Sequence, residues 1–385
     1  MQAFDSTTRR GDLSSARFEP GSTEDKMILS MGPQHPSTHG VLRIMLELDG
    51  EYIVRAEPIL GYVHRMHEWM SEQSTYMQFI PNMGRVDYLH AMAWNWAYAG
   101  ALERLAGIEV PERAEYIRVA VTELNRISSH LVWWGAYLLD LGAFTPIMYS
   151  FDDREQILDI LQAVTGSRLT YSYFTIGGVY DDVPADFCKR SIAFVNRLRS
   201  RLSMYRDLVT GNAILRGRCE GIGGLSVDVA RRYGATGPVL RASGVASDAR
   251  KSESYGVYDR FEFRIPTYTE GDAMARYRVR LDELETSCDI IEQAVSNLPE
   301  GPVVAKVSRN FKPPKGEACL AVEGARGKII VHVRSDGGLK PYRVKLRAPG
   351  FSNMSLFCEL ARGTMLSDAV SILGSLDLVI PEIDR

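Results

Sequence analysis

Cysteine is scarce in this chain and never clustered. The five in 385 residues are Cys188, Cys219, Cys288, Cys319 and Cys358, and no two fall within thirty positions of each other. A structural zinc site or an iron–sulfur cluster usually draws on closely paired cysteines, so the chain is expected to bind no metal of its own. The odd count also argues against a disulfide framework. Long apolar runs are missing too. The longest, "LVWWGAYLLDLGAF", is interrupted by Asp140 and falls short of the roughly 20 residues that cross a bilayer. The opening "MQAFDSTTRRGDLSSARFEPGSTEDK" has no apolar centre, so it reads as a mobile tail over residues 1–26 and not as a signal peptide. A net charge of −3 gives no reason to expect a nucleic-acid surface. These absences predict a cytoplasmic compartment, with any membrane attachment supplied by something else. Nucleotide and zinc-hydrolase signatures are also lacking. "EGIGGLS" does not have the G-x-G-x-x-G spacing, and "HRMHE" only reverses part of H-E-x-x-H.

What is present is a long-helix pattern between two smaller pieces. A chain of 385 residues is long for a single core and should form two or three packed regions. "KMILSMG" and "VLRIMLELDGEYIVRAEPIL" read as strands, the second divided by an Asp-Gly turn. Helical spacing follows in "YVHRMHEWMSEQSTYMQF", predicted to end before Pro81, and in "RVDYLHAMAWNWAYAGALERLAG", closed by Gly107. "PERAEYIRVAVTELNRISSHLVWWGAYLLDLG" predicts one helix of about 45 Å. Three further helices are expected in the stretches beginning "SFDDREQ", "ADFCKRS" and "EGDAMAR". A glycine-rich, less regular segment precedes the last of them. "GKIIVHVRSD" and "PYRVKLRAPG" then alternate as a hairpin, and "MLSDAVSILGS" reads as a short helix. The expected organisation is an N-terminal sheet piece over residues 27–61, a helical bundle over 62–300 and a mixed α/β piece over 301–385. The fold class is α+β, predominantly α.

Three residues carry the chemical interest: His39, Tyr88 and Asp140. "GPQHPSTHG", residues 32–40, puts His35 and His39 on the loop joining the first two strands. Their spacing would align them on a helix, but Pro36 disfavours helical geometry in the residue before it. Tyr88, in "GRVDYLH", falls in the first turns of a bundle helix, and Asp140 interrupts an apolar, aromatic helix end. An ionised carboxylate on a buried face is costly unless paired. Taken singly, Asp140 can equally face solvent or cap a neighbour, and Tyr88 can be an ordinary packed residue. His64 and His67 can clip a metal at i, i+3, although a solvent-facing or ion-paired helix start accounts for them as well.

Read together, "GPQHPSTHGVLR", "GYVHR", "RVDYLH", "ERAEYIRV", "TELNRISSHL", "DLGAFTP", "GPVLRASGV", "LRAPGF" and the terminal "DR" run in one order from about Leu29 to Arg385. In this the sequence resembles the large hydrophilic, quinone-site (D-type) subunit family of respiratory complex I, NADH-quinone oxidoreductase. That family shares the fold of the nickel–iron hydrogenase large subunit. Hydrogenases hold their metal with two C-x-x-C pairs. The matching regions here, "IPNMGRVDYLH" and "GSLDLVIPEIDR", contain no cysteine. The resemblance therefore implies an emptied cavity that receives a quinone head, with quinone as substrate. A hydrogen-evolving reading does not survive the loss of both pairs.

By motif match, His39 and Tyr88 correspond to the quinone-contacting histidine and tyrosine, and Asp140 to the acid that pairs with that histidine. Arg65 matches an arginine beside the [4Fe–4S] cluster of a neighbouring small subunit. His35, Arg85, Asp87 and His130 are candidates for lining or supporting the cavity. The resemblance implies contacts with that cluster-bearing (B-type) subunit, with the C-type and other peripheral-arm subunits, and with the membrane-arm (H-type) subunit at the quinone entrance. It also implies NADH or another donor on a distant subunit, and a peripheral position on the cytoplasmic side of the inner membrane. One departure stands out. Thr170 occupies the place of a histidine that many members carry near the cluster, and a threonine does not titrate. A redox-inactive scaffold within a complex I-like or membrane-hydrogenase-like assembly is the alternative reading.

Overall fold

The computed structural model describes residues 26–34, 41–253 and 255–385. His35, His39 and the tail before Lys26, of which the sequence raised expectations, lie outside the described residues. Strands β1 (Met27–Met31), β2 (Arg43–Asp49) and β3 (Tyr52–Ile59) form an antiparallel sheet in sequence order. The "GPQHPSTHG" stretch thus begins the connection from β1 to β2, as its position between two apolar runs implied.

Six helices come next: α1 (His67–Gln73), α2 (Tyr76–Met83), α3 (Ala91–Ala106), α4 (Glu112–Asp140), α5 (Thr145–Thr165) and α6 (Phe187–Tyr205). The helix expected over residues 62–79 is instead two. Thr75 caps α2, accepting from the Gln78 N–H while the Gln78 side chain takes the Thr75 N–H, and this capping box restarts the chain. Pro81 lies inside the last turns of α2 and does not end it. Further on, the helix Ala273–Ser296 packs on α4 and α6, and α4 also packs on α5. The glycine-rich segment holds short helices, including Val227–Arg232 and Pro238–Arg241. Near the C-terminus the strand Gly316–Gly324 joins the anticipated hairpin Gly327–Ser335 and Arg343–Arg347. This strand and the helix Pro349–Ala361 carried no clear periodic signal.

One apolar core joins α2 to α6 and Ala273–Ser296 to the C-terminal sheet. A second gathers β2 and β3 with residues 354–383. Buried charge runs through the first core. Arg118, Arg126, Arg241, Arg250, Arg276, Arg280 and Arg326 are all nearly sealed from solvent. Most face carboxylates: Arg118 meets Glu103 at 2.7 Å, Arg250 meets Asp248 at 2.7 Å, and Arg241 meets Glu323 at 2.7 Å. Pairing with carboxylates offsets the cost of burying such guanidiniums, although individual N–H groups of Arg118, Arg126, Arg276, Arg280 and Arg326 have no hydrogen-bond partner.

The hairpin tip Ala325–Arg326 positions the site. Gly324 pairs with Gly327, so two residues make the turn, and the Ala325 N–H donates to His90 Nδ1 at 2.9 Å. Gly237, at φ +68°, lies flat against this tip, where a Cβ would meet the Arg326 carbonyl oxygen at 2.6 Å. Only glycine permits both that backbone angle and that approach.

Candidate active site

Asp87 decides how the α2–α3 junction folds. Its Oδ1 accepts from the Leu89 and His90 N–H groups at 3.0 and 3.2 Å. A short acidic side chain that takes these donors competes with helix formation, so α3 starts at Ala91 and not at Arg85. Tyr88 therefore lies on a turn and not in the first helical turns, with 36% of its surface exposed. Asp140 is the last residue of α4 and is half-buried. The negative end of a helix dipole disfavours a carboxylate there by about 0.3–1 kcal/mol, and the last turn of α4 has no basic residue.

Tyr88 and Asp140 line one cavity of about 290 Å³, closed by Leu89, Val132, Trp133, Tyr137 and the segment Gly374–Val379. This is near the lower end, roughly 300 Å³, for small-molecule sites. A second apolar cavity of about 340 Å³ lies between the α4–α5 junction and Leu208–Arg218. It offers one guanidinium and no phenol, imidazole or carboxylate, so it lacks the groups that deliver protons.

The wall behind Tyr88 is ionic. Arg326 donates from Nη1 to Asp87 Oδ2 at 2.8 Å and from Nη2 to Ser129 Oγ at 3.1 Å. Asp377, which lines the cavity, stands 3.5 Å from Arg326 and 3.7 Å from Arg280. Arg280 lies 4.5 Å over the Trp133 ring, and the indole is fixed by donating to the Gly374 carbonyl at 2.8 Å. Tyr137 stacks on Trp133 at 5.2 Å. Burial raises the Tyr88 phenol above its ordinary pKa, Arg326 opposes the rise, and Asp87 and Asp377 add to it. The phenol thus keeps its proton until a stronger base appears beside it.

The remaining sequence candidates divide. Asp87 is a buried support of the turn that carries Tyr88. His130 also sits behind the cavity, fully buried, with Nε2 3.0 Å from Glu283 Oε2. Burial lowers its pKa, with Glu283 opposing the shift. Arg85 is exposed and hydrogen-bonds the Pro81 carbonyl; it does not line the cavity.

Arg65 lies exposed on the loop before α1. The residue next to the C-terminus holds this loop: Asp384 accepts from the Gly61 and Val63 N–H groups at 2.9 Å each, and its carbonyl oxygen lies 2.6 Å from His64 Nδ1. His67, expected at a solvent-facing or ion-paired helix start, is instead buried with neither ring nitrogen hydrogen-bonded. Burial, then Arg65 and His64, lower its pKa to about 4. Among the described residues no three His, Cys, Asp or Glu side chains converge as a metal site, and no helix is long and apolar enough to cross a membrane.

Arg326, Arg280, Asp377, Trp133 and Tyr137 were not singled out from the sequence. The only hint was the terminal "GSLDLVIPEIDR", where an acid interrupts an apolar run.

The sequence matches the family described as "Respiratory-chain NADH dehydrogenase, 49 Kd subunit" over residues 140–385. It is 57% identical over 358 residues to a D-type NADH-quinone oxidoreductase subunit of Opitutus terrae, covering 93% of this chain and 90% of that one. It is 55% identical to the D-type subunit of Desulfotalea psychrophila, over 94% and 98% of the two chains. With the corresponding subunit of Syntrophobacter fumaroxidans the identity is 54%, over 96% and 99%. Likeness of this degree, carried along nearly the whole of each pair of chains, leaves one assignment: the protein belongs to the 49 kDa, D-type subunit family of respiratory-chain NADH-quinone oxidoreductase.

Proposed function

We propose that this chain is the core peripheral-arm subunit that shapes the quinone-reduction site of a proton-translocating NADH-quinone oxidoreductase. Its partners are other subunits of that complex. The cluster-bearing small subunit lies against the Arg65 loop, the C-type subunit beside it, and the membrane-arm subunit at the quinone entrance, all on the cytoplasmic face of the membrane. The observation that supports this reading is the cavity shared by Tyr88 and Asp140, two residues from separate sequence motifs.

Reduction of a quinone to a quinol consumes two electrons and two protons, and each ring oxygen needs a donor as negative charge develops. NADH, on a distant subunit, is the electron source, and the [4Fe–4S] cluster of the neighbouring subunit is the last carrier. Arg65, exposed beside it, favours the more negative reduced state of that cluster. In this reading Tyr88 gives its phenolic proton to one ring oxygen, and His39 hydrogen-bonds and protonates the other. Asp140 holds His39 in its charged form. A quinone bearing a photoreactive head tests the placement. Irradiated in the assembled complex, it should label peptides containing Tyr88 and Leu139–Asp140, and unmodified quinone should compete. Labelling confined to other subunits would instead leave this chain a scaffold.

The same arrangement supplies a coupling step. Once His39 has given up its proton, Asp140 faces a neutral imidazole at the negative end of α4. Relief of that unfavourable electrostatic state drives rearrangement towards the membrane arm. Asp140→Asn removes the charge, so protons pumped per electron pair should fall while electron transfer to quinone continues. An unchanged stoichiometry removes Asp140 from coupling.

A further inference from the structure

We propose that Glu382 is carried as a neutral carboxylic acid behind the cavity and stores the proton that replenishes its donor side through Asp377. The inference rests on the quinone-site reading above and adds to it a residue that does not touch the substrate.

Glu382 is completely buried in the last helical turn, Ile380–Asp384. Its Oε1 accepts one hydrogen bond, from the Gly350 N–H at 2.8 Å, and its Oε2 has no partner. Among the described residues no cationic nitrogen lies within ion-pair distance of this carboxyl. The nearby guanidiniums are committed elsewhere. Arg326 serves Asp87, Ser129 and Asp377. Arg347, on the strand Arg343–Arg347, donates to Thr236 and to the Lys328 and Gly234 carbonyls. An ionised carboxylate with a single amide donor and no cation is untenable in a dry interior, where it takes up a proton instead.

Counting charge leads to the same place. Within ion-pair distance, Arg326 and Arg280 serve Asp87 and Asp377, and Arg347 acts on Glu382 only from beyond that distance. Glu382 is the acid without a pair. Burial raises its pKa to about 8, with Asp87 and Asp377 contributing to the rise and Arg326 opposing it.

Asp377, whose charge acts on Glu382, is the acceptor this proposal assigns. It lines the cavity, and its Oδ2 receives no hydrogen bond. Its 3.5 and 3.7 Å separations from Arg326 and Arg280 are those of ion pairs without close hydrogen bonds. The O–H bond of Glu382 breaks as one forms on Asp377 Oδ2, so the cluster keeps its net charge. The proton then passes to the Tyr88 oxygen left bare after quinol formation, and the buried Glu382 is reprotonated by the reverse route, from water entering the emptied cavity through Asp377. Only protons move; the two electrons reach the ring from NADH through the complex.

The test uses the assembled complex with Glu382→Gln and Glu382→Asp. Reduced-minus-oxidised infrared spectra of the unmodified complex should contain the carbonyl band of a protonated carboxyl, shifted in D2O and lost in Glu382→Gln. Turnover of the unmodified complex should fall as pH rises through about 8. In Glu382→Gln that limb should disappear, and turnover at neutral pH should drop about 10-fold with KM changed less than about twofold, the signature of a lost proton relay. Glu382→Asp should restore both the band and the limb in part. A complex without the band, or a Glu382→Gln complex with the original turnover and pH profile, overturns the proposal. If Glu382→Gln does not assemble, Glu382→Asp decides: a band shifted or weakened there supports the proposal, and an unaltered band overturns it. Photolabelling of Tyr88 separates the two readings, because it survives failure of the Glu382 relay but not failure of the quinone site.

Discussion

Replacing Tyr88 by phenylalanine in the assembled complex should lower quinone turnover about 100-fold, the scale seen when one positioned donor to a developing oxyanion is removed. Phenylalanine keeps the ring that forms one side of the cavity and removes only the hydroxyl. Quinone should therefore still bind, with KM within about threefold of the original, while kcat carries the loss. Electron transfer from NADH to an artificial acceptor upstream of the quinone should be unchanged, which establishes that the assembly and its clusters are intact. The raised phenol pKa fixes the sign of the pH dependence. A donor held protonated by burial stays competent through neutral pH, so the defect should not be rescued by acidification. Turnover above half of the original would mean that the cavity binds quinone without using this phenol, and the scaffold reading would then gain ground.

Much of the fold was legible because its signals are local. The 29-residue helix α4 follows from an uninterrupted 3.6-residue period begun by Pro111, and β2–β3 from an Asp-Gly turn between apolar runs. Where expectation and structure part, a single side chain redirected the backbone. Asp87 captured two amide groups and delayed α3, and the Thr75–Gln78 box split one expected helix in two. The site was half legible. Tyr88 and Asp140 stood out as polar groups against apolar helical patterns, and family resemblance gave them roles. Their ionic backing did not stand out. Arg326 meets Asp87 across a separation of 239 residues, and nothing local marks an arginine in a hairpin turn as buried. Glu382 was hidden in the same way: in "VIPEIDR" it reads as an ordinary terminal acid, and only its missing partner, visible in three dimensions, sets it apart.

That ionic backing should also limit stability. Arg326→Met leaves Asp87 and Asp377 without their shared guanidinium, and removing one member of a buried ion pair typically costs about 3–5 kcal/mol. The loss strikes the turn carrying Tyr88 and the wall carrying Asp377 together, so the expected result is a chain that fails to accumulate in the complex. When purified, it should unfold at clearly lower denaturant. Lost packing and lost charge are separable. Asp87→Asn preserves an Oδ1 acceptor for the Leu89 and His90 N–H groups while deleting the stranded charge. The double variant Arg326→Met/Asp87→Asn should therefore be more stable than Arg326→Met alone, by about 0.5–3 kcal/mol, the range of coupling between contacting residues. Arg326→Lys should fall between the original and Arg326→Met, because an ammonium keeps one contact to Asp87 but cannot reach Ser129 and Asp377 at once. If Arg326→Met unfolds at the original denaturant concentration, or the double variant is weaker than the single, the arginine contributes packing and not charge. Arg280 and bound protons would then have to neutralise the three acids.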